Sequence, residues 1–241
     1  MMKNIDIVTH AWAGRYAHYA YALNYQLSSL VLHPSKHLSS MVVCCNKDDR
    51  LVNDVLQFFS DKLPLNVMAM ELPELGRRSI GRNKAALSTS ADAVWFTDCD
   101  HVFHEGCLDH AANVLWPDWA PMVFANRIMI HRDWITGDAA LAKAAHPCVV
   151  DINPSEFIEK KYNRAIGGVQ IVQGDFAREH GYLRDNPRWQ SPYTGIRGFD
   201  SCTCDKAYRR FISEQGPRNA VLPITPPGLY RLRHTQTTHH D

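Results

Sequence analysis

Residues Ala93 to His101 constrain this chain most, because Ala-Val-Trp-Phe-Thr-Asp-Cys-Asp-His is an apolar strand ending abruptly in two carboxylates, Asp98 and Asp100. A strand with no polar face is one buried on both sides, as in the middle of a parallel α/β sheet. Open sheets of that class bind ligands beyond the carboxyl ends of their strands. Side chains alternate along extended backbone, so Asp98 and Asp100 are predicted on one side and Cys99 on the other. Two oxygen donors sharing a side suit a hard divalent cation, Mg²⁺ or Mn²⁺.

The chain around that strand supplies the layers it needs. Ile5 to Thr9 reads as a first strand, and a helix follows from about Tyr16 to Leu32, with Tyr19, Leu23, Leu27 and Leu30 at helical spacing. Met41 to Cys45 is a second strand, Leu51 to Ser60 a helix and Val67 to Leu72 a third strand. Gly81 to Asp92 holds a short amphipathic helix starting near Arg82 and leading into the Asp98/Asp100 strand. Alternating strands and helices predict an α/β fold, with a mostly parallel central sheet flanked by helices.

Arg82-Asn83-x-Ala85, a helix, Ala91-Asp92, an apolar strand and then Asp98-x-Asp100 resembles the GT-A fold glycosyltransferases, most closely the family 2 type, over about the first half of the chain. The resemblance implies a single GT-A (Rossmann-like) domain over 1–241. Residues 1–104 would form the nucleotide-sugar-binding half and 105–241 the acceptor-binding half and tail. It also implies sugar transfer from a nucleotide sugar, a UDP-sugar by the usual preference, with Mn²⁺ or Mg²⁺ as cofactor.

Length and composition agree with one globular unit. A chain of 241 residues with a 45% hydrophobic share holds one well-cored domain, and no apolar run reaches the length of a membrane span. Seven cysteines without a Cys-x-x-Cys pair, and a first strand entered at once, predict a cytoplasmic protein without a disulfide framework. The net charge of +1 carries no nucleic-acid signature. It is uneven: residues 1–126 carry 10 Lys/Arg against 13 Asp/Glu and residues 127–241 carry 16 against 12.

Beyond Asp100, Pro117, Pro121, Pro147 and Pro154 divide 105–165 into a short helix (Gly106 to Leu115), a strand (Met122 to Ala125) and long irregular connections. Gly168 to Val172 reads as a strand, Asp175 to Gly181 and Phe199 to Phe211 as helices. The proline-rich segment after Gln215 is expected to wander over the surface and return through Leu229 to His234.

Sugar transfer requires a neutralised leaving diphosphate, an anchored nucleoside and a base for the acceptor hydroxyl. By the resemblance, Asp98 faces the ribose and Asp100 the metal, with His234 as a late third ligand. Thr9 and His10 fall where the nucleobase is cradled, and Asp48 or Asp49 would meet the base imide. For those two acids a turn and a helix cap is an equal reading. Arg82 would contact base or diphosphate from a helix N-terminus. The general base, for an inverting reaction, is expected at Asp200 in Gly198-Phe199-Asp200, with Asp205 as the alternative. Arg231 and Arg233 would reach the diphosphate if the tail folds back. A nucleotidyltransferase of the same fold and a non-catalytic nucleotide- or sugar-binding protein are the competing readings. The acceptor is open, a glycan or small molecule being favoured over a protein or a hydroxymethylated DNA base.

Overall fold

The computed structural model describes residues 3–14, 16–114, 116–193, 203–215 and 220–235. In chain order its elements are β1 (Ile5–Ala11), α1 (His18–Leu32), β2 (Leu38–Cys45), α2 (Arg50–Phe59), β3 (Leu65–Ala69), α3 (Leu72–Leu75), α4 (Arg78–Ser88) and β4 (Ala93–Phe96). Then come β5 (His101–Phe103), α5 (Cys107–Asn113), β6 (Met122–Ala125), β7 (Arg127–His131), α6 (Trp134–Ala142), β8 (Phe157–Lys161), β9 (Gln170–Gln173) and α7 (Gly174–His180). The chain closes with α8 (Pro187–Gln190), α9 (Cys204–Gln215), β10 (Val221–Ile224) and β11 (Leu229–Arg231). Among the described residues no helix is long and apolar enough to cross a membrane.

The central sheet runs β10-β6-β9-β4-β1-β2-β3. It is mostly parallel, with β9 antiparallel to both β4 and β6. All seven residues of β1 and all four of β4 are buried, as expected of strands covered on both faces. Covering helices form where the sequence supplies both a cap and a stripe. In α2, Asp49 accepts the backbone N–H of Val52 at 3.2 Å, and Val52, Val55, Leu56 and Phe59 form the buried face. A second sheet, β5-β11-β7-β8, lies beyond the carboxyl end of β4, and within it β11 brings the C-terminal segment back beside β5.

Several sequence expectations change. β4 stops at Phe96, because Thr97 makes the last bond to β1, through its N–H to Val8 O at 3.0 Å, and the chain then turns. Asp98 and Asp100 therefore sit in a turn, not on extended strand. α4 begins at Arg78, one turn before the expected start near Arg82, so Arg82 is interior to the helix. β3 occupies Leu65–Ala69, not Val67–Leu72, since its register with β2 starts at Met41↔Leu65 and Pro73 opens α3. The segment 105–165 holds β7, α6 and β8 where irregular connections were predicted. The proline-rich tail extends the central sheet as β10; Pro223 is tolerated there because β10 is an edge strand. α9 runs to Gln215 rather than stopping at Phe211, and its predicted start near Phe199 lies outside the described residues.

Candidate functional site

The turn after β4 is fixed from three directions by its own backbone. Gln26 of α1, fully buried, donates its amide to Asp98 O at 3.0 Å. His101 N donates to the same oxygen at 3.2 Å, and Leu232 N of the returning tail donates to Asp100 O at 2.8 Å. The two carboxylates are thereby presented at the carboxyl end of the central sheet without depending on strand alternation. Cys99 points into the core, 4% exposed, and burial, with Asp100 and Asp98 nearby, pushes its thiol well up.

Three arginines from distant segments close on the pair. Asp98 Oδ1 accepts from Arg78 Nη1 at 2.8 Å and from Arg82 Nη2 at 3.2 Å. Asp100 Oδ2 accepts from Arg231 Nε at 3.0 Å. Burial opposes the charge on both carboxylates, but Arg78 and then Arg82 outweigh it at Asp98, and Arg231 and then His101 outweigh it at Asp100. Both carboxyls are held below the usual range. Two anions facing three guanidiniums leave a local excess of one positive charge.

Arg82 is 1% exposed, and its guanidinium is spent on the protein itself. It donates to Tyr182 Oη at 3.1 Å, Gly167 O at 3.1 Å and Thr97 O at 3.4 Å besides Asp98. Arg78, on the first turn of α4, is the partner nearer solvent. Arg78, which reads in the sequence as one of a solvated basic group, thus holds the helix N-terminal position expected for Arg82.

The glycine pair before β9 forms the facing wall. A Cβ at Gly168 would collide with the His101 ring, so only glycine lets that imidazole lie against the turn. His101 Nδ1 is 3.0 Å from Asp100 Oδ1, and among the described residues neither His101 nitrogen nor that oxygen has a hydrogen-bond partner. A Cβ at Gly167 would be 3.8 Å from Asp98 Oδ2 and 3.7 Å from Asp205 Cβ. Asp205, on the first turn of α9, thus flanks the same glycine as Asp98.

Asp98, Asp100 and His101 each offer a ligand atom within 4.8 Å of the others. Two carboxylate oxygens and an imidazole form a donor set that suits Mn²⁺ better than Mg²⁺, and the partnerless Asp100 Oδ1 and His101 nitrogens fit such an ion. His234, the expected third ligand, is buried near Asp100, its ring stacked at 5.9 Å on His18 and edge-on to Tyr19 at 5.8 Å. The histidine whose ring nitrogen lies within 4.8 Å of both carboxylates is His101, the residue directly after the motif.

Other expected residues fall as follows. Thr9 and His10 are buried at the end of β1, and a Cβ at Gly81 of α4 would strike His10 Nε2. Burial, then Arg82 and Arg78, hold His10 well below its usual pKa, so it is neutral. Asp49 caps α2 and accepts Ala13 N at 2.6 Å, while Asp48 is exposed beside it. Arg233 lies over the Trp134 ring at 4.6 Å. Asp200 lies outside the described residues.

The sequence matches no protein-family model and no curated protein sequence. Solved structures do resemble the fold. S. aureus TarS aligns at TM-score 0.59 and 13% identity over 95% of this chain and 36% of its own. TarS 1–349 aligns at TM-score 0.53 and 16% identity over 95% and 60%. TarS 1–349 in complex with UDP does so at TM-score 0.53 and 16% identity over 94% and 60%. The chain has the GT-A fold. It spans between about a third and three fifths of the length of those chains. Within the GT-A fold, the carboxylate turn, its arginines and Asp205 cluster beyond the carboxyl ends of the central strands, where ligands of open α/β sheets bind.

Proposed function

We propose that this chain is a metal-dependent glycosyltransferase that moves a sugar from a nucleotide sugar, a UDP-sugar, to an acceptor hydroxyl with inversion. The observation that carries the reading is the convergence of Asp98 and Asp100 with Arg78, Arg231 and His101, and with Asp205 across Gly167. That TarS 1–349, which shares the fold, was solved with UDP supports the choice of donor.

In this reading Arg78 and Arg231 meet the diphosphate, their charge exceeding what the carboxylates need. Arg82 orients Asp98 toward the ribose and does not touch the donor. Exposed Asp48 is the acid that meets the base, because Asp49 is committed to capping, and Thr9 and His10 form the floor beneath. A divalent ion held by Asp98, Asp100 and His101, with His234 behind them, would offset the charge of the leaving group. A carboxylate of the 200–205 segment accepts the acceptor proton, Asp200 by the sequence pattern or Asp205 by its nearness to Asp98. That nearness favours an enzyme over a non-catalytic binding protein. The absence of a Gly-rich basic loop in Thr9-His10-Ala11-Trp12-Ala13-Gly14-Arg15 speaks against a nucleotidyltransferase. The acceptor is a glycan or a small molecule in preference to DNA.

The test is the melting temperature with UDP, GDP, CDP, TDP and ADP, each with and without Mn²⁺, since a ligand that binds only the native state raises it. UDP is expected to stand out, and only with Mn²⁺; Asp100→Asn removes the shift. A flat panel at saturating nucleotide overturns the donor site. Asp200→Asn and Asp205→Asn separate the bases: the correct one keeps UDP binding and loses transfer.

A further inference from the structure

A second group of metal-ligating side chains lies at the far end of β5 from Asp100. His33, at the C-terminal end of α1, His104, just past β5, and Asp151 each place a ligand atom within 4.8 Å of the others. His104 Nε2 is 3.3 Å from Asp151 Oδ1, and His33 Nε2 is 3.8 Å from Asp151 Oδ2. The two imidazole rings are tilted 43° to each other, their centroids 3.6 Å apart. Ligands at about 2.0 to 2.1 Å from a tetrahedral Zn²⁺ are separated by roughly 3.3 Å, so small side-chain rotations complete the geometry.

The cluster is held in place by hydrogen bonds of its flanking segments. The segment bearing Asp151 is stapled to buried polar residues of α1. Asn24 exchanges two hydrogen bonds with Cys148, at 2.8 and 3.2 Å, and Ser28 Oγ bonds Cys148 O at 3.2 Å and Val150 N at 3.1 Å. His104 is fixed by its N–H to Gly228 O at 2.7 Å, and Ile152 N orients Asp151 Oδ1 at 2.8 Å. His33 Nε2 is shielded from solvent and, among the described residues, makes no hydrogen bond. Beside the two imidazoles is a cleft of about 360 Å³, with Glu105 and Asp109 on its wall.

We propose that His33, His104 and Asp151 bind a divalent transition ion of the Zn²⁺ class, with a fourth position open to the cleft. Two imidazoles and one carboxylate are a donor set for zinc or cobalt rather than for magnesium or calcium. The ion ties the end of α1 to β5 and to the strand-bearing segment after Asp151. The site is independent of the donor reading, since none of its ligands belongs to the Asp98 cluster.

Titration of the full chain with Co²⁺ tests it by visible absorption, followed by displacement with Zn²⁺. One equivalent of Co²⁺ is expected to give an intense tetrahedral-type band that Zn²⁺ bleaches, unchanged in Asp98→Asn. Asp151→Asn keeps the acceptor for Ile152 N at a residue 45% exposed, so it should fold; it and His104→Gln are expected to weaken binding at least about tenfold. Zn²⁺ should raise the melting temperature of the native chain more than that of Asp151→Asn. No band, weak uptake at several sites indifferent to Asp151→Asn, or loss of the band in Asp98→Asn would each overturn the proposal.

Discussion

Replacing Arg82 and Arg78 one at a time separates a side chain that holds the site from one that serves it. Both contact Asp98 Oδ1, at 3.2 and 2.8 Å, so distance alone ranks Arg78 first. Burial reverses the order for stability. Arg82 is 1% exposed, and Arg82→Met strips donors from Asp98, Gly167 O, Thr97 O and Tyr182 Oη together. Removing one partner of a buried pair costs about 3 to 5 kcal/mol. At roughly 2 to 4 °C per kcal/mol for a chain of this size, that lowers the melting temperature by about 6 to 20 °C. Arg78 and Asp98 are 25% and 27% exposed, so Arg78→Ala costs about 0 to 1 kcal/mol. The ligand readout runs the other way: Arg78→Ala weakens UDP binding at a stability near that of the native chain. Urea unfolding and calorimetric UDP titration below the melting range measure both. A cost under about 1 kcal/mol for Arg82→Met, or an equal cost for the two variants, would refute the division of labour.

Three further outcomes follow from the same geometry. Gly168→Ala drives a Cβ into the His101 ring and should cost about 1 to 3 kcal/mol, most of it recovered in the Gly168→Ala/His101→Ala double variant; additive losses would mean the two do not press on each other. Burial, then Arg82 and Arg78 for His10, and burial for His131, hold these histidines below their usual pKa. The unfolded chain therefore takes up protons first, and stability falls as pH drops below about 6.5, by up to about 1.4 kcal/mol per pH unit for each group. Urea midpoints at neutral and mildly acid pH check the sign, and a flat or rising trend would contradict it. Arg231→Gln removes the charge-assisted bond to Asp100 and the tail's cation, and UDP affinity should drop about tenfold to a hundredfold; unchanged affinity would remove Arg231 from the donor site.

The parts of the fold legible in the sequence were those whose signal is local. β1, α1, β2, α2 and β6 announce themselves by apolar runs or by a cap followed by a stripe, and they stand within a few residues of expectation. β3 was shifted because an edge strand with a mixed burial pattern has no clean alternation to read. β10 was missed because proline argues against a strand unless one knows that the strand is at an edge. At the site, Asp98 and Asp100 were legible as a pair, but the reason given, strand alternation, was not the one that operates. The turn is set locally by His101 and, from afar, by Gln26 and Leu232, whose contacts span separations that no window of sequence covers. His101 carried a usable signal in standing next to the motif, and Gly167-Gly168 carried another in being the one Gly-Gly pair of the sequence, just before a buried strand.

Those long-range contacts also determine what the carboxylates can do. An Asp pair alone is a cation site, whereas this one already carries Arg78, Arg82 and Arg231 and is positive by one charge. Arg82 is interior and fixed, so the adjustable cations are Arg78 on α4 and Arg231 on the returning β11 strand. In the proposed function a diphosphate would draw on both without unpairing Arg82. A cation at Asp100 meets Oδ1, the oxygen that Arg231 leaves open. One oxygen of Asp100 is held by a guanidinium and the other faces His101, so in the proposed function anion and cation binding would not compete for the same atom.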